Sequence, residues 1–320
     1  MSQLHSQDVA STSNLSIIIV NWNTRDLLAQ CLHSVLTDIR ALPSLRVETL
    51  VVDNASTDGS VQLVWKQFPW VQLIVNKKNV GFATANNQAI RASLGRYVLL
   101  LNSDTKIKLG ALKTLVDFLD SHVQAGAVGA YLLNSDETTL QTSCYPFPTL
   151  WRELWRLFHL DVLYPVGIYQ MANWDLNTAR EVDVIQGAAL MLRREALNQV
   201  GLLDERYFMY TEEVDLCYRL QKGGWLLFWV PQSKVVHYGG QSAKQVAADM
   251  FLCLYQSKLI FIKKHYGSLA TKIYKFILFA ATITRLLLTP LAYLEQHPRR
   301  QQHLNLAKHY HRLLTELPRF

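Results

Sequence analysis

The chain has 320 residues, half of them apolar, and carries a net charge of +7, so it is long enough to bury a large core. The charge argues against a nucleic-acid reader because it sits at one end. Residues 241–320 hold 12 Lys and Arg against 3 Asp and Glu, leaving 20 against 22 before them, and no zinc-finger, helix-turn-helix or RNA-recognition pattern occurs.

The N-terminal stretch MSQLHSQDVASTSN is polar, lacks a basic segment and is followed by a short apolar run over 15–20, so no signal peptide is expected. That run reads as a buried strand. Leu27, Leu28, Cys31, Leu32, Val35 and Leu36 then recur at helical spacing, and 47–52 is a second strand, which makes a βαβ unit. Further buried strands are predicted at 71–75 and 97–101, with a helix over 83–92 between them. Strands apolar on both faces predict an α/β fold with a mostly parallel sheet flanked by helices. The stretch 141–181 is less regular, and the stripe Trp151, Leu154, Trp155 and Phe158 is expected in the core. A strand is predicted over 182–194, then a helix at EALNQVG, a helix in YTEEVDLCYRL and apolar strands at GWLLFWVP and before His237. Beyond 244 the pattern is helical and basic. This divides the chain into a domain over 1–243, with halves of about 15–130 and 131–243, and a helical extension over 244–320. Cys31, Cys144, Cys217 and Cys253 contain no CxxC pair and are expected as reduced core thiols of a cytosolic protein.

Each early strand ends in polar residues: Asn21 and Asn23, then DNASTDGS, then Asn76, then Asn102, Ser103 and Asp104. In open α/β sheets ligands bind at that edge. Neither GxxxxGK[ST] nor GxGxxG occurs, so a bound diphosphate needs a metal. Asp104 ends a buried run, where a carboxylate is costly unless a cation meets it. It is a candidate ligand for a hard divalent cation, and His237 would add a nitrogen, which suits Mn²⁺ better than Mg²⁺. Asp53 could accept the N3–H of uracil or thymine and would repel cytosine; a turn role is the alternative, with Ser56 and Asp58 the better caps. Glu212 and Glu213 open a helix, where negative charge is favoured, and point about 100° apart, so one of them at most faces a given site as general base. Asp215 and Arg219 stand at i,i+4 and read as a structural ion pair.

Seven stretches, IIIVNWNT (17–24), VVDNASTDGS (51–60), NVGFATANN (79–87), LLLNSDT (99–105), QGAALMLRREAL (186–197), FMYTEEVDLCYRL (208–220) and VVHYGGQS (235–242), together resemble the inverting family 2 glycosyltransferases of GT-A fold, most closely a rhamnosyltransferase-like branch that builds bacterial surface polysaccharides. The resemblance spans about 230 residues. It implies a nucleoside-diphosphate sugar of UDP or dTDP type, Mn²⁺ or Mg²⁺, and a glycan or lipid-linked acceptor. It also implies that Asp53 reads the base, that Asn86 and Asn87 lie near the donor, that Asp104 is the last acid of a DXD motif and holds the metal, that His237 completes the metal site, and that Glu213 is the base, with Glu212 as alternative. Asn21, Asn23, Asn102 and Ser103 join the nucleotide-sugar site. Two positions depart from the family pattern: Asn102 stands at the first DXD position, and Glu213 replaces the usual Asp. The QxxRW motif of processive synthases is missing, so one sugar per encounter is expected. The rival classes are a sugar-phosphate nucleotidyltransferase, whose glycine-rich basic loop is absent after the first strand, and a catalytically silent sugar-nucleotide binder.

The most apolar stretch, 269–294, exceeds the roughly 20 residues a bilayer span needs, but Lys272, Lys275 and Arg285 interrupt it and Pro290 breaks it. Arg285 alone would cost about 2.5–3.5 kcal/mol at mid-membrane. Helices lying on the cytoplasmic leaflet are expected, drawn to anionic head groups by the basic tail; packing on the core or on another subunit is the alternative, and a homodimer is left open.

Overall fold

The structure, a computed structural model, describes residues 14–42, 45–294 and 296–320; the expectation of no signal peptide falls on a segment outside them, apart from Asn14. The chain begins with β1 (Leu15–Asn21), α1 (Arg25–Arg40), β2 (Val47–Asp53), α2 (Ser60–Gln67), β3 (Gln72–Val75), α3 (Phe82–Ala92) and β4 (Tyr97–Asn102). The four strands lie in the order β3-β2-β1-β4, all parallel. β1 is apolar at nearly every position because its two faces feed two cores: Ile18 and Val20 pack in one, Leu15, Ile17 and Ile19 in the other, as strict alternation along a strand requires. β3 is the sheet edge and half exposed, so the fully buried strand expected at 71–75 is not found there.

The second half runs β5 (Thr105–Ile107), α4 (Ala111–Ser121), β6 (Ala125–Leu133), β7 (Cys144–Tyr145), α5 (Leu150–Leu157), β8 (Arg180–Glu181), β9 (Val184–Ile185), β10 (Ala189–Arg193), α6 (Arg194–Val200), α7 (Glu212–Lys222) and β11 (Leu226–His237). It extends the sheet as β4-β10-β6-β11-β5. β10 is antiparallel to both neighbours and β5 to β11, while β6 and β11 are parallel; β10 and β5 thus oppose six strands that share one direction. The predicted strand over 182–194 is two strands in different sheets: β9 pairs with β7, and β10 joins the main sheet. The break falls at Gln186, Gly187 and Ala188. The two apolar runs before His237 are instead one twelve-residue strand, β11, whose register shifts between Val230 and Lys234, around Pro231. Of the 151–158 stripe, Leu154 turns inward, joined by Leu157, but Trp151 is 57% and Phe158 36% exposed, so the stripe is not core as a whole. All four cysteines are free and buried.

The extension comprises α8 (Gln241–Lys244), α9 (Ala247–Leu288) and α10 (His297–Glu316). α9 kinks at Gly267, whose φ of 85° only glycine adopts without strain. Leu252, Tyr255, Phe261 and Ile262 of its first half and Tyr274, Leu278 and Ala281 of its second half share one core cluster with Leu157 of α5, Tyr207, and Tyr310 and Leu313 of α10. One core cluster therefore straddles residue 243, and the boundary expected there does not separate two independently packed bodies.

Candidate active site

Parallel strands bring their carboxyl ends to one edge. Register aligns Asn21 with Asp53 and Val20 with Asn102, and β11 returns His237 beside Thr105. Above this edge is a cavity of about 340 Å³, walled by 102–104, by Gly81 and Phe82 at the start of α3, by Phe208 and Met209, and by residues 240–250 of α8 and α9.

Asp53 is 1% exposed. Its Oδ2 accepts from Asn21 Nδ2 at 3.0 Å and its Oδ1 from the Ser56 N–H at 2.9 Å. Thr24 continues the chain, donating to Asn21 Oδ1 at 2.8 Å and meeting Ser103 Oγ at 2.9 Å. Asn23 Oδ1 accepts from the Thr57 N–H at 2.8 Å. Asn21 and Asn23 therefore pin the loop after β2 onto the sheet edge, orienting Asp53 from below. Sequence reading missed Asn54 and Asn79, which do line the cavity: Asn54 Nδ2 donates to Asn79 Oδ1 at 2.7 Å, and Asn54 Oδ1 accepts from Val80 N at 3.0 Å and Asn76 Nδ2 at 3.1 Å. Asn86 and Asn87 are not brought to the cavity, because their amides are committed elsewhere. Asn86 donates to Phe82 O at 2.9 Å within α3, and Asn87 donates to Leu203 O at 2.8 Å and Glu205 Oε1 at 2.9 Å.

His237 and Asp104 meet as expected, with Nε2 3.3 Å from Oδ1. Gln141, missed by sequence reading, decides how they meet. Its Nε2 donates to Asn134 Oδ1 and to His237 O, both at 3.2 Å, so its Oε1 is the atom facing His237 Nδ1 at 2.6 Å. Nδ1 must then carry the proton in the neutral ring, which leaves Nε2 as a bare lone pair aimed at a carboxylate. Two such acceptors repel unless a cation or proton lies between them. Asn102 Nδ2 stands 3.4 Å from the same Nε2 and donates to it in this tautomer, while Asn102 Oδ1 is buried without a partner. Asp104 also accepts from the Gln241 N–H at 3.1 Å. Burial alone would raise the Asp104 pKa; with a proton between it and His237, that contact and the Gln241 N–H outweigh burial and hold the carboxyl below its usual range. Among the described residues no group of three or more His, Cys, Asp or Glu gathers to hold a metal. The donor set here is one carboxylate and one imidazole nitrogen, with the Asn102 amide beside them, a mixture that fits Mn²⁺.

The two acids follow a strained turn. Tyr210 and Thr211 both have positive φ, 67° and 70°, a conformation that surrounding contacts must enforce for such residues. Phe208 O accepts from the Phe82 N–H at 2.6 Å, and Met209 O accepts from Ser257 Oγ of α9 at 2.8 Å. A Cβ at Gly81 would lie 2.6 Å from Phe208 O, so only glycine permits this approach. Beyond the turn, the Cβ of Glu213 would lie 3.7 Å from a Cβ at Gly187, and the next residue, Ala188, accepts from the Asn102 N–H at 3.0 Å. Glu213 is thus one layer behind the Asn102 strand end and not in the cavity wall itself. Glu212 and Glu213 each keep one buried carboxylate oxygen without a partner. Burial pushes both pKa values up, and the charge of Glu213 pushes Glu212 further. Asp215, two residues on, is held by Arg219 as expected, at 2.8 Å, and also by Lys264 and His265 of α9, both at 2.7 Å.

Comparisons with known proteins identify the family. Residues 16–201, from β1 through the end of α6, match the model of glycosyl transferase family 2. An N-acetylglucosaminyl-diphospho-decaprenol L-rhamnosyltransferase of Mycobacterium tuberculosis is 32% identical over 237 residues, covering 69% of this chain and 76% of its own. A rhamnosyltransferase of Escherichia coli K12 is 26% identical over 178 residues, covering 53% of this chain and 66% of its own. A mannosyltransferase of Pyrobaculum calidifontis, solved with GDP-Man and Mn²⁺, superposes with a TM-score of 0.57 at 17% identity over 96% of this chain and 88% of that one, which shows a shared GT-A fold. With the family matched over more than half its length and a relative matched over most of both chains, the protein belongs to glycosyl transferase family 2 and is a glycosyltransferase.

Proposed function

We propose that the enzyme transfers one hexose, rhamnose first among the candidates, from a UDP or dTDP sugar to a glycan or lipid-linked acceptor in polysaccharide assembly, with inversion and with help from Mn²⁺ or Mg²⁺. The observation that carries the reading is that Asn102 and Asp104 line the cavity and meet the Nε2 of His237 at its edge, with the acids Glu212 and Glu213 nearby at the start of α7. Rhamnose comes from the M. tuberculosis and E. coli relatives, and a polyprenyl-linked acceptor from the former.

Asp104, His237 and Asn102 would hold the cation. When bound, it neutralises charge developing on the diphosphate, so no acid is needed to protonate the leaving group. Glu213 removes the acceptor hydroxyl's proton as that oxygen bonds to the anomeric carbon; the electron pair of the breaking C–O bond leaves with the diphosphate. Burial raises the Glu213 pKa, so its carboxylate is a stronger base than an ordinary glutamate; Glu212, raised further, is the alternative. Asp53, fixed by Asn21 and Ser56, accepts the N3–H of uracil or thymine. The enzyme works at the cytoplasmic face of a membrane, held there by its basic tail. Supporting this, Ala247–Leu294 is long and apolar enough to cross a bilayer, yet its second half buries one side against α10 and leaves the other side apolar and open.

The test is a panel of nucleoside-diphosphate sugars with Mn²⁺, reading free nucleoside diphosphate. Release from UDP or dTDP sugars that is lost in Asp104→Ala supports the proposal. Pyrophosphate as product, or transfer undiminished by Asp104→Ala, overturns it.

A further inference from the structure

The kink in α9 opens a second cavity that shares no lining residue with the active site. It measures about 510 Å³ and lies between the two halves of α9 and the end of the chain, with Lys263, Lys272, Lys275 and Arg319 around an apolar part made by Leu259 and Phe320. No Asp or Glu lines it. Lys275 donates to the Phe320 main-chain oxygen, and Arg319 is paired with Glu316. Lys263 and Lys272, both exposed at the cavity, have no acid within ion-pair distance among the described residues, so two ammonium groups are open to an anion there.

What adjoins the cavity distinguishes its ligand. Ser268, Thr271, Lys272 and Lys275, at i, i+3, i+4 and i+7, form the stripe of the second half-helix that lines the cavity. The adjacent stripe, Leu269, Ile273 and Phe276, runs at i, i+4 and i+7 and faces outward, with Leu269 73% and Phe276 71% exposed. A site for a free inorganic anion has no use for an apolar strip at its mouth. An amphiphile does: a phosphodiester head group fits the cationic cavity while its acyl chains follow the apolar stripe.

We propose that the cavity at the Gly267 kink is a binding site for the head group of an anionic phospholipid. The shared chemistry is a phosphate ester, and the lipid is the source the apolar stripe favours. The proposal deepens the membrane reading above and rests on it for the supply of lipid.

The experiment is calorimetry on the full chain with dihexanoyl-phosphatidylglycerol below its micelle concentration and, separately, with inorganic phosphate, alongside flotation with phosphatidylglycerol vesicles. Saturable binding of the short-chain lipid, weakened about tenfold by the double variant Lys263→Ala and Lys272→Ala and unchanged by Arg299→Ala with Lys308→Ala, supports the site. The second pair removes the same charge from α10, so it controls for general attraction. Equal binding of inorganic phosphate overturns the lipid assignment, and equal weakening by both pairs overturns the pocket. Flotation without saturable short-chain binding keeps the membrane reading and overturns the pocket; short-chain binding without flotation supports the pocket and overturns the membrane reading.

Discussion

Two sets of buried carboxylates flank α7 and are provided for in opposite ways. At the seam with α9, Asp215 touches Arg219, Lys264 and His265, and Glu153 of α5 takes Arg156 at 2.6 Å, Lys258 at 3.0 Å and the Tyr274 hydroxyl at 3.1 Å. At the sheet edge, Asp104 faces the Nε2 of His237, and Glu212 and Glu213 have no cation partner among the described residues. Removing charge from water is costly on both sides, so the contrast is informative. The seam saturates its acids because it holds the extension in place. The edge leaves its acids short of cation partners, as a site does when substrate or metal supplies them.

The sharpest break in that contrast is Glu213→Gln. Transfer should fall by about 10²- to 10⁴-fold, measured as single-turnover product formation, while the thermal midpoint holds or rises because an unpaired buried carboxylate is gone. A larger loss in Glu212→Gln would move the base to Glu212. Asp215→Asn should do the reverse. It should cost about 3–5 kcal/mol of stability, the usual loss when one member of a buried ion cluster is removed, read from chemical denaturation; a loss near zero would mean that the seam does not hold the extension.

Gln141→Ala separates orientation from ligation. Without its Oε1, His237 loses the contact that fixes its tautomer, and Mn²⁺ affinity should fall by about 10- to 100-fold, the range seen for groups behind a ligand. Electron paramagnetic resonance of free Mn²⁺ reads this directly, and unchanged affinity would remove Gln141 from the site.

The smallest expected effect is in pH dependence, where the two regions should tilt stability in opposite directions. Burial works against the Asp215 carboxyl, but His265, Lys264 and Arg219 outweigh it and bring its pKa to about 2. Its stabilisation is therefore complete above the ordinary aspartate value of about 3.9 and is lost as pH falls from there toward 2. The raised pKa values of Glu212 and Glu213 act with the other sign. Above the ordinary glutamate value of about 4.3 the unfolded chain releases protons that the folded chain keeps, so stability declines as pH rises through the folded pKa. Denaturation midpoints against pH should lose the acid limb in Asp215→Asn and the upper limb in the double variant Glu212→Gln and Glu213→Gln. Unchanged limbs would dissolve the distinction between seam and edge.

The sequence by itself determined the scaffold and the identity of its acids. Runs apolar at every position, each ending in Asn or Asp, encode a parallel sheet with a polar edge, because alternation and burial act within a few residues of chain. Asp104, His237 and the Asp215–Arg219 pair were legible for the same reason: strand ends and an i,i+4 spacing are local. Only the tertiary structure decided what those groups touch. Gln141 sets the His237 tautomer across 96 positions of sequence, and Asn87 is drawn to Leu203 across 116, so neither role leaves a mark on its own segment. The break at 186–188, the strained turn at Tyr210 and Thr211, and the kinked helix that closes over it likewise follow from packing between distant elements, where the energy of the whole core overrides what each short stretch prefers.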